Sequence, residues 1–308
     1  MLDFFEGRSL DRIHKWYLSL AQYIRMITGG KSTAADLLEY YLSPWKQTCN
    51  KDIINKCKGL KGNENGVFGK KFDNTANTFI LSDDYIQKVI NITPKGISPY
   101  KNVMENIILP IFLSKTDKNL GILPRLKKNQ EENKTTFDDL QYIKRVEFPA
   151  GTKDDVLGWI ENEDPSTITK QQKDILDVFV GLHKYTVRAD AVIDVDIESS
   201  KLSKADENSK SSPNLLSIPV SISSWVSTFY DYYDFNKEVG FSLPNPDAVL
   251  PNIQDRIHPE LKVAPWFITP HKYLDKMLEK GLAKAFYIYG IYNENNPNLL
   301  IKNEEIFL

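Results

Sequence analysis

Residues 187–197 read VRADAVIDVDI, and the two-residue rhythm of this stretch decides the fold class. Val187, Ala189, Ala191, Ile193, Val195 and Ile197 fall on one side of an extended chain, while Arg188, Asp190, Asp194 and Asp196 fall on the other. Successive side chains of a strand point to opposite faces, so this is a half-buried strand with one apolar and one charged face. Its aspartates are read first as a solvated sheet face and only second as a metal cluster. A polar, serine-rich loop over Lys201 to Asn214 follows, and Leu216, Ile218, Val220 and Ile222 then alternate again. The two strands are expected to pair as a long-looped antiparallel hairpin that runs into the aromatic segment Phe229 to Phe235.

Upstream, Gln141 to Phe148 reads as a strand and Ile168 to Val180 as a helix with Ile175, Leu176, Phe179 and Val180 inside. Downstream, Thr269 and Pro270 open a helix lined by Leu274, Met277 and Leu278, Gly281 stops it, and Ala285 to Tyr292 is a last core strand. The N-terminal part is different. Ile13, Trp16, Tyr17, Leu20, Ile24 and Ile27 recur every three or four residues, the period of a helix with one buried face; Gly29 and Gly30 end it. Ser32 or Thr33 can cap a second helix with Leu37, Leu38, Tyr41 and Leu42 on its apolar side, halted by Pro44. The expected fold is therefore α+β, a helical N-terminal region followed by a mainly antiparallel β C-terminal domain. The polar stretch Lys127 to Thr136, which has no apolar residue, is the natural linker, giving domains over 1–128 and 138–308.

With 39 basic and 41 acidic side chains, a net charge of −2, the chain of 308 residues offers no field to draw a nucleic-acid backbone. Cys49 and Cys57 lie in a lysine-rich stretch without nearby histidine, which is not a zinc spacing, and two isolated thiols fit a reducing compartment. The first twenty residues carry Asp3, Glu6, Arg8, Asp11, Arg12 and Lys15, unlike a secretory signal, so synthesis in the cytoplasm without a signal peptide is expected. The apolar runs Ile107 to Leu113 and Phe286 to Tyr292 are far short of the roughly twenty residues of a membrane span.

Phosphate loops, dinucleotide glycine fingerprints, HExxH, CxxC and GxSxG elbows are absent from the sequence. One polar and aromatic constellation remains: Asp231, Tyr232, Tyr233 and Asp234, followed by Asp255, Arg256, Ile257 and His258. Hydrolysis at a phosphate needs carboxylates to hold a divalent metal or orient water, a cation for developing charge and a group that moves a proton near neutrality; Asp, Arg and His supply these. The simpler reading is a turn whose tyrosine rings cover the core while the carboxylates face water. His14 and His271 lie in helices where structural roles are expected, and His183 adjoins the long strand.

The string Asp231-Tyr232-Tyr233-Asp234 resembles the first part of the Asp-x-Tyr-Asp signature of colicin-M-like bacteriocins, which hydrolyse the peptidoglycan precursor lipid II in the periplasm. That family continues with a His-Arg pair after a short gap, whereas here the nearest counterparts are the reversed and more distant Arg256 and His258. The Gly281 to Phe286 stretch is similar to cargo domains of antibacterial secretion systems. The resemblance covers the C-terminal half and implies an antibacterial toxin that cleaves a phosphate linkage of lipid II with a divalent cation such as Mg2+. It implies Asp231 and Asp234 as metal ligands, Tyr233 as an orienting group, Arg256 on a phosphate oxygen and His258 as acid or base. It further implies a lipid-linked substrate at a membrane surface, an immunity partner and delivery to the target-cell periplasm. The alternative is a non-enzymatic adaptor of a secretion or antagonism system, with the tyrosine-rich segment and Trp225 as its binding surface.

Overall fold

Ser9 and Ser32 each turn a side-chain oxygen onto a backbone N–H of the first turn that follows, Arg12 and Ala35 respectively, and so set the starts of the first two helices, α1 (Leu10–Ile27) and α2 (Thr33–Tyr41). Gly29 and Gly30, both with positive φ, make the turn between them, which a residue with a Cβ adopts only at a cost. The helical period has the predicted result: Ile13, Trp16, Tyr17, Leu20, Ile24 and Ile27 are buried, as are Leu37, Leu38, Tyr41 and Leu42. The computed structural model describes residues 9–53, 77–114, 121–122, 124–125, 136–162, 166–196, 201–203, 215–233, 241–244, 266–269, 271–295 and 305–307. Of the expected linker, only Thr136 lies among them.

Further helices among the described residues include α3 (Asp83–Asn91), capped by Ser82, the short α4 (Pro99–Val103) and α5 (Leu109–Phe112), then α6 (Thr152–Asn162), α7 (Lys170–Leu182) and α8 (His271–Glu279). Between α4 and α5 the backbone opens into a π turn over Met104–Ile108, directly before Pro110. A proline ring collides with the carbonyl four residues back, and a widened turn relieves that collision without ending the helical path. The strands are β1 (Asn77–Ile80), β2 (Thr136–Glu147), β3 (Lys184–Val195), β4 (Lys201–Ser203), β5 (Leu215–Tyr233), β6 (Phe241–Pro244), β7 (Trp266–Thr269), β8 (Phe286–Asn293) and β9 (Glu305–Phe307).

The main sheet has the order β1-β8-β5-β3-β2, with β4 and β9 each pairing antiparallel to β5, and β6 and β7 form a separate antiparallel pair. The fold is α+β as expected. β3 alternates as its sequence requires, with Val187, Ala189, Ala191, Ile193 and Val195 buried and Arg188, Asp190 and Asp194 half-buried. Five strands escape the sequence reading: β6, β7, β9, β4, which occupies Lys201–Ser203 at the start of the expected polar loop and pairs with β5, and β1, which pairs parallel with β8, Asn77 opposite Phe286 through Ile80 opposite Tyr289.

The chain divides into two compact units, each assembled from three separated stretches. The first comprises Met1–Ser98, Glu147–Tyr185 and Tyr230–Gly290, the second Pro99–Val146, Thr186–Phe229 and Ile291–Leu308. In the first, α2 packs on α7 around Asp177, a carboxylate with 0% exposure. Its Oδ1 accepts from the Ser32 hydroxyl at 2.7 Å and the Ala34 N–H at 3.0 Å, and its Oδ2 from Lys88 at 2.7 Å. One turn on, Gly181 sits so close to its neighbours that a Cβ there would lie 2.7 Å from the Tyr85 hydroxyl and 3.3 Å from the Ala34 Cα. Aromatic side chains fill the space against the sheet, with Tyr40 edge-on to both Phe79 and Phe286.

The second unit has a hydroxyl at its centre. Ser227 is 0% exposed; its hydroxyl accepts from Trp225 Nε1 at 3.1 Å, shares a hydrogen bond with the Tyr100 hydroxyl at 2.8 Å and lies 4.0 Å from the Met104 sulfur. A serine has one proton and two lone pairs, so this hydroxyl is fully used. Tyr100 stacks on Phe229 and meets Tyr292 edge-on, and Phe112 packs on Trp225.

Two expectations follow for stability. Asp177→Ala removes the acceptor of three hydrogen bonds and should cost roughly 3 kcal/mol or more by urea denaturation. Ser227→Ala leaves the buried Trp225 N–H and Tyr100 hydroxyl short of their shared partner and should cost about 1–3 kcal/mol in the same measurement, with no change in overall secondary structure by circular dichroism.

Candidate functional site

The candidate constellation begins on the last residues of β5, where the strand leaves the core. Thr228, Phe229 and Tyr230 are buried, whereas Asp231, Tyr232 and Tyr233 are half-buried. The strand period places Asp231 and Tyr233 on one face and Tyr232 on the other. The Asp231 carboxylate accepts from the Tyr232 N–H at 2.9 Å, which fixes it against its own backbone. Tyr233 stacks on Phe286 with ring centres 5.1 Å apart and meets Tyr41 edge-on at 5.9 Å. Burial, and secondarily the charge of Asp231, push its hydroxyl well above the ordinary tyrosine range, so it stays protonated and can donate. Asp234, Arg256 and His258 lie outside the described residues, so the structure brings together two of the five expected groups, Asp231 and Tyr233.

A single carboxylate beside a protonated phenol can orient water or take up a proton, and as a hard oxygen donor it suits Mg2+. Among the described residues, no group of three or more His, Cys, Asp or Glu side chains is placed to hold a metal ion. The aspartate face of β3 is engaged elsewhere: Asp190 pairs with Arg188 at 2.8 Å, and Asp194 accepts from the Thr136 hydroxyl at 2.7 Å. Both carboxylates are half-buried and bonded within their sheet, not simply bathed in solvent. His14 is buried with Nε2 2.7 Å from the Leu42 carbonyl oxygen, a structural bond between α1 and the end of α2. Exposed His183 follows α7 and packs edge-on against Phe179. Trp225 is 1% exposed and holds Ser227, so it cannot contribute to a binding surface; its indole serves the core of its unit.

A cleft that sequence reasoning missed opens within the first unit, where the starts of α2 and α3 meet. It has a volume of about 430 Å³ and is lined by Arg25, Lys31, Ser32, Asp36, Asp84 and Lys88 among others. Its size falls within the range of small-molecule sites, but its charges are largely satisfied from within. Arg25 is held by Asp36 at 2.6 Å and by Glu39; Lys88 lies 2.7 Å from Asp177 and 3.4 Å from Asp174. The first turn of α2, where an anion would bind, already donates to Asp177. The serine caps at Ser32 and Ser82 are the only sequence signal for this cleft, and they announce helix starts, not a ligand.

The ion pairs give the cleft a pH dependence of definite sign. The Arg25 hydrogen bond, opposed by burial and aided by the guanidinium charge, holds the Glu39 carboxyl below its usual range. A depressed folded-state pKa contributes stability above the unfolded value, about 4.3, that is lost as pH falls through the folded value. Glu39→Gln should therefore lower the urea midpoint at neutral pH, and the difference from the parent chain should close as the pH falls below about 4.

Among the described residues, no helix is long and apolar enough to cross a membrane. No protein family, curated protein or solved structure matches this chain.

Proposed function

We propose that this protein is an antibacterial effector that hydrolyses a phosphate linkage of the lipid-linked cell-wall precursor lipid II. The observation that carries the reading is the position of Asp231, a half-exposed carboxylate on the terminus of a strand whose preceding residues are buried. Functional groups belong where a rigid element gives way to a loop, because the element fixes position and the loop leaves room for substrate. Asp231 and Asp234 hold Mg2+ or activate water, with Tyr233 as the donor that orients a carboxylate. Arg256 pairs with a phosphate oxygen, and His258 moves the proton. A bound divalent cation supplies charge neutralisation at the phosphate. On this reading the protein is made in the cytoplasm, acts at the periplasmic membrane surface and is matched by an immunity partner in the producing cell.

A second reading, a non-enzymatic adaptor, is favoured by Trp45, which stands 68% exposed on a short turn after α2. Large exposed tryptophans are frequent anchors of protein interfaces.

The two readings separate in one experiment. The chain is expressed in the bacterial cytoplasm and, fused to an export signal, in the periplasm, and the purified protein is incubated with lipid II and Mg2+. The hydrolase reading expects killing confined to the periplasm and a rate of lipid II cleavage that drops at least about 100-fold in Asp231→Asn and in Asp234→Ala. Asp190→Ala should have no effect. Intact lipid II and no toxicity in either compartment would reject the hydrolase in favour of the adaptor.

A further inference from the structure

β2 is the last strand of the main sheet and runs for 12 residues. Among the described residues, no strand pairs with its outer edge. Such an edge offers a row of backbone donors and acceptors to any chain that can align with it, and proteins usually guard it with charge. Here the charge is arranged in an unusual way. Asp138 and Asp139 stand in the first part of the strand, Lys144 and Arg145 in the last part. Among the described residues, only Asp139 of these four has an ion-pair partner, Arg125, and its side chain is still 66% exposed. A guard of one sign repels a second copy of the same strand in every alignment. A strand that is acidic at one end and basic at the other repels a parallel copy but attracts an antiparallel one.

We propose that two copies of this chain associate through antiparallel pairing of their β2 strands, joining their sheets about a two-fold axis. The register follows from the strand's own alternation. Phe137 and Leu140, three apart, are both buried, so the phase slips once between them, as at a bulge. Beyond it Leu140 and Val146, six apart, are both buried and Asp139, Gln141 and Arg145 exposed, with Tyr142, Ile143 and Lys144 half-buried between them, so the two ends of the stretch share one phase. A two-fold axis normal to a sheet keeps each face on its own side, so a residue can oppose only one of the same phase. With Tyr142 on the axis, Asp139 of each copy opposes Arg145 of the other, and Gln141 opposes Ile143. The two Asp–Arg pairs are equivalent by symmetry, as an isologous interface requires. Arg125, already on Asp139, holds that carboxylate in place for the incoming guanidinium.

The test is sedimentation velocity of the full chain across the micromolar to millimolar range, at low and high salt. The proposal expects a monomer–dimer equilibrium that weakens as salt screens the paired charges. Arg145→Asp turns two attractions into two repulsions and should weaken the dimer at least about tenfold while leaving the thermal melt unchanged, because Arg145 is exposed. The register is checked by cross-linking. In a Cys49→Ser, Cys57→Ser background, Tyr142→Cys should form an intermolecular disulfide under mild oxidation, and Lys184→Cys should not. A monomer at every concentration overturns the proposal, as does a dimer indifferent to Arg145→Asp or one that leaves Tyr142→Cys uncross-linked.

Discussion

Asp177 is fully removed from water, and three helices are located by what it binds. Placing a carboxylate in the interior costs several kcal/mol unless its charge and lone pairs are answered. The answers come from the cap of α2, through the Ser32 hydroxyl and the Ala34 N–H, and from Lys88 on α3. Lys88 is itself partly desolvated, and its ammonium is nevertheless held above the usual lysine range by Asp177 and Asp174. The same helix face then presents Gly181, one turn later, where the lack of a side chain lets Ala34 and the Tyr85 hydroxyl approach. A charge and a vacancy four residues apart thus set both the orientation and the spacing of α2 against α7.

The second unit reaches a similar end with neutral chemistry. Trp and Tyr bring large apolar surfaces but also a polar tip that must find a partner when buried. Ser227 bonds two such tips and touches a sulfur, so one small residue lets Trp225 and Tyr100 be core residues. The cost of that economy is dependence: the aromatic packing of this unit shares a single hydroxyl.

What could be read from the sequence was whatever repeats locally. The alternation of Val187 to Val195, the helical period of Ile13 to Ile27 and the serine cap at Ser32 are rules of a few residues, and the structure obeys them. The bonds that organise the core are not local. Ser32 and Asp177 are 145 positions apart, Tyr100 and Ser227 127, and nothing in either neighbourhood names the other. β1 was illegible for a related reason, since four residues are too few to show a period and its partner strand lies near the other end of the sequence. The candidate site was legible only as composition. That Tyr233 commits its ring to Phe286 and Tyr41, or that Trp225 is interior, depends on packing that residue type alone cannot specify.

The parallel pairing of β1 with β8 also bears on how the molecule is made. Residues 77–80 leave the ribosome long before residues 286–289 exist, and Tyr230–Gly290, which closes the first unit, is the last of its three stretches to be made. Closing so large a loop carries an entropic penalty, and contacts distant in sequence form slowly. Throughout elongation Tyr40 and Phe79 must therefore remain without the ring of Phe286, which packs against both in the finished molecule. The first unit is therefore completed only once β8 has been made, and until then its unpaired strand and aromatic surface are open to off-pathway contacts.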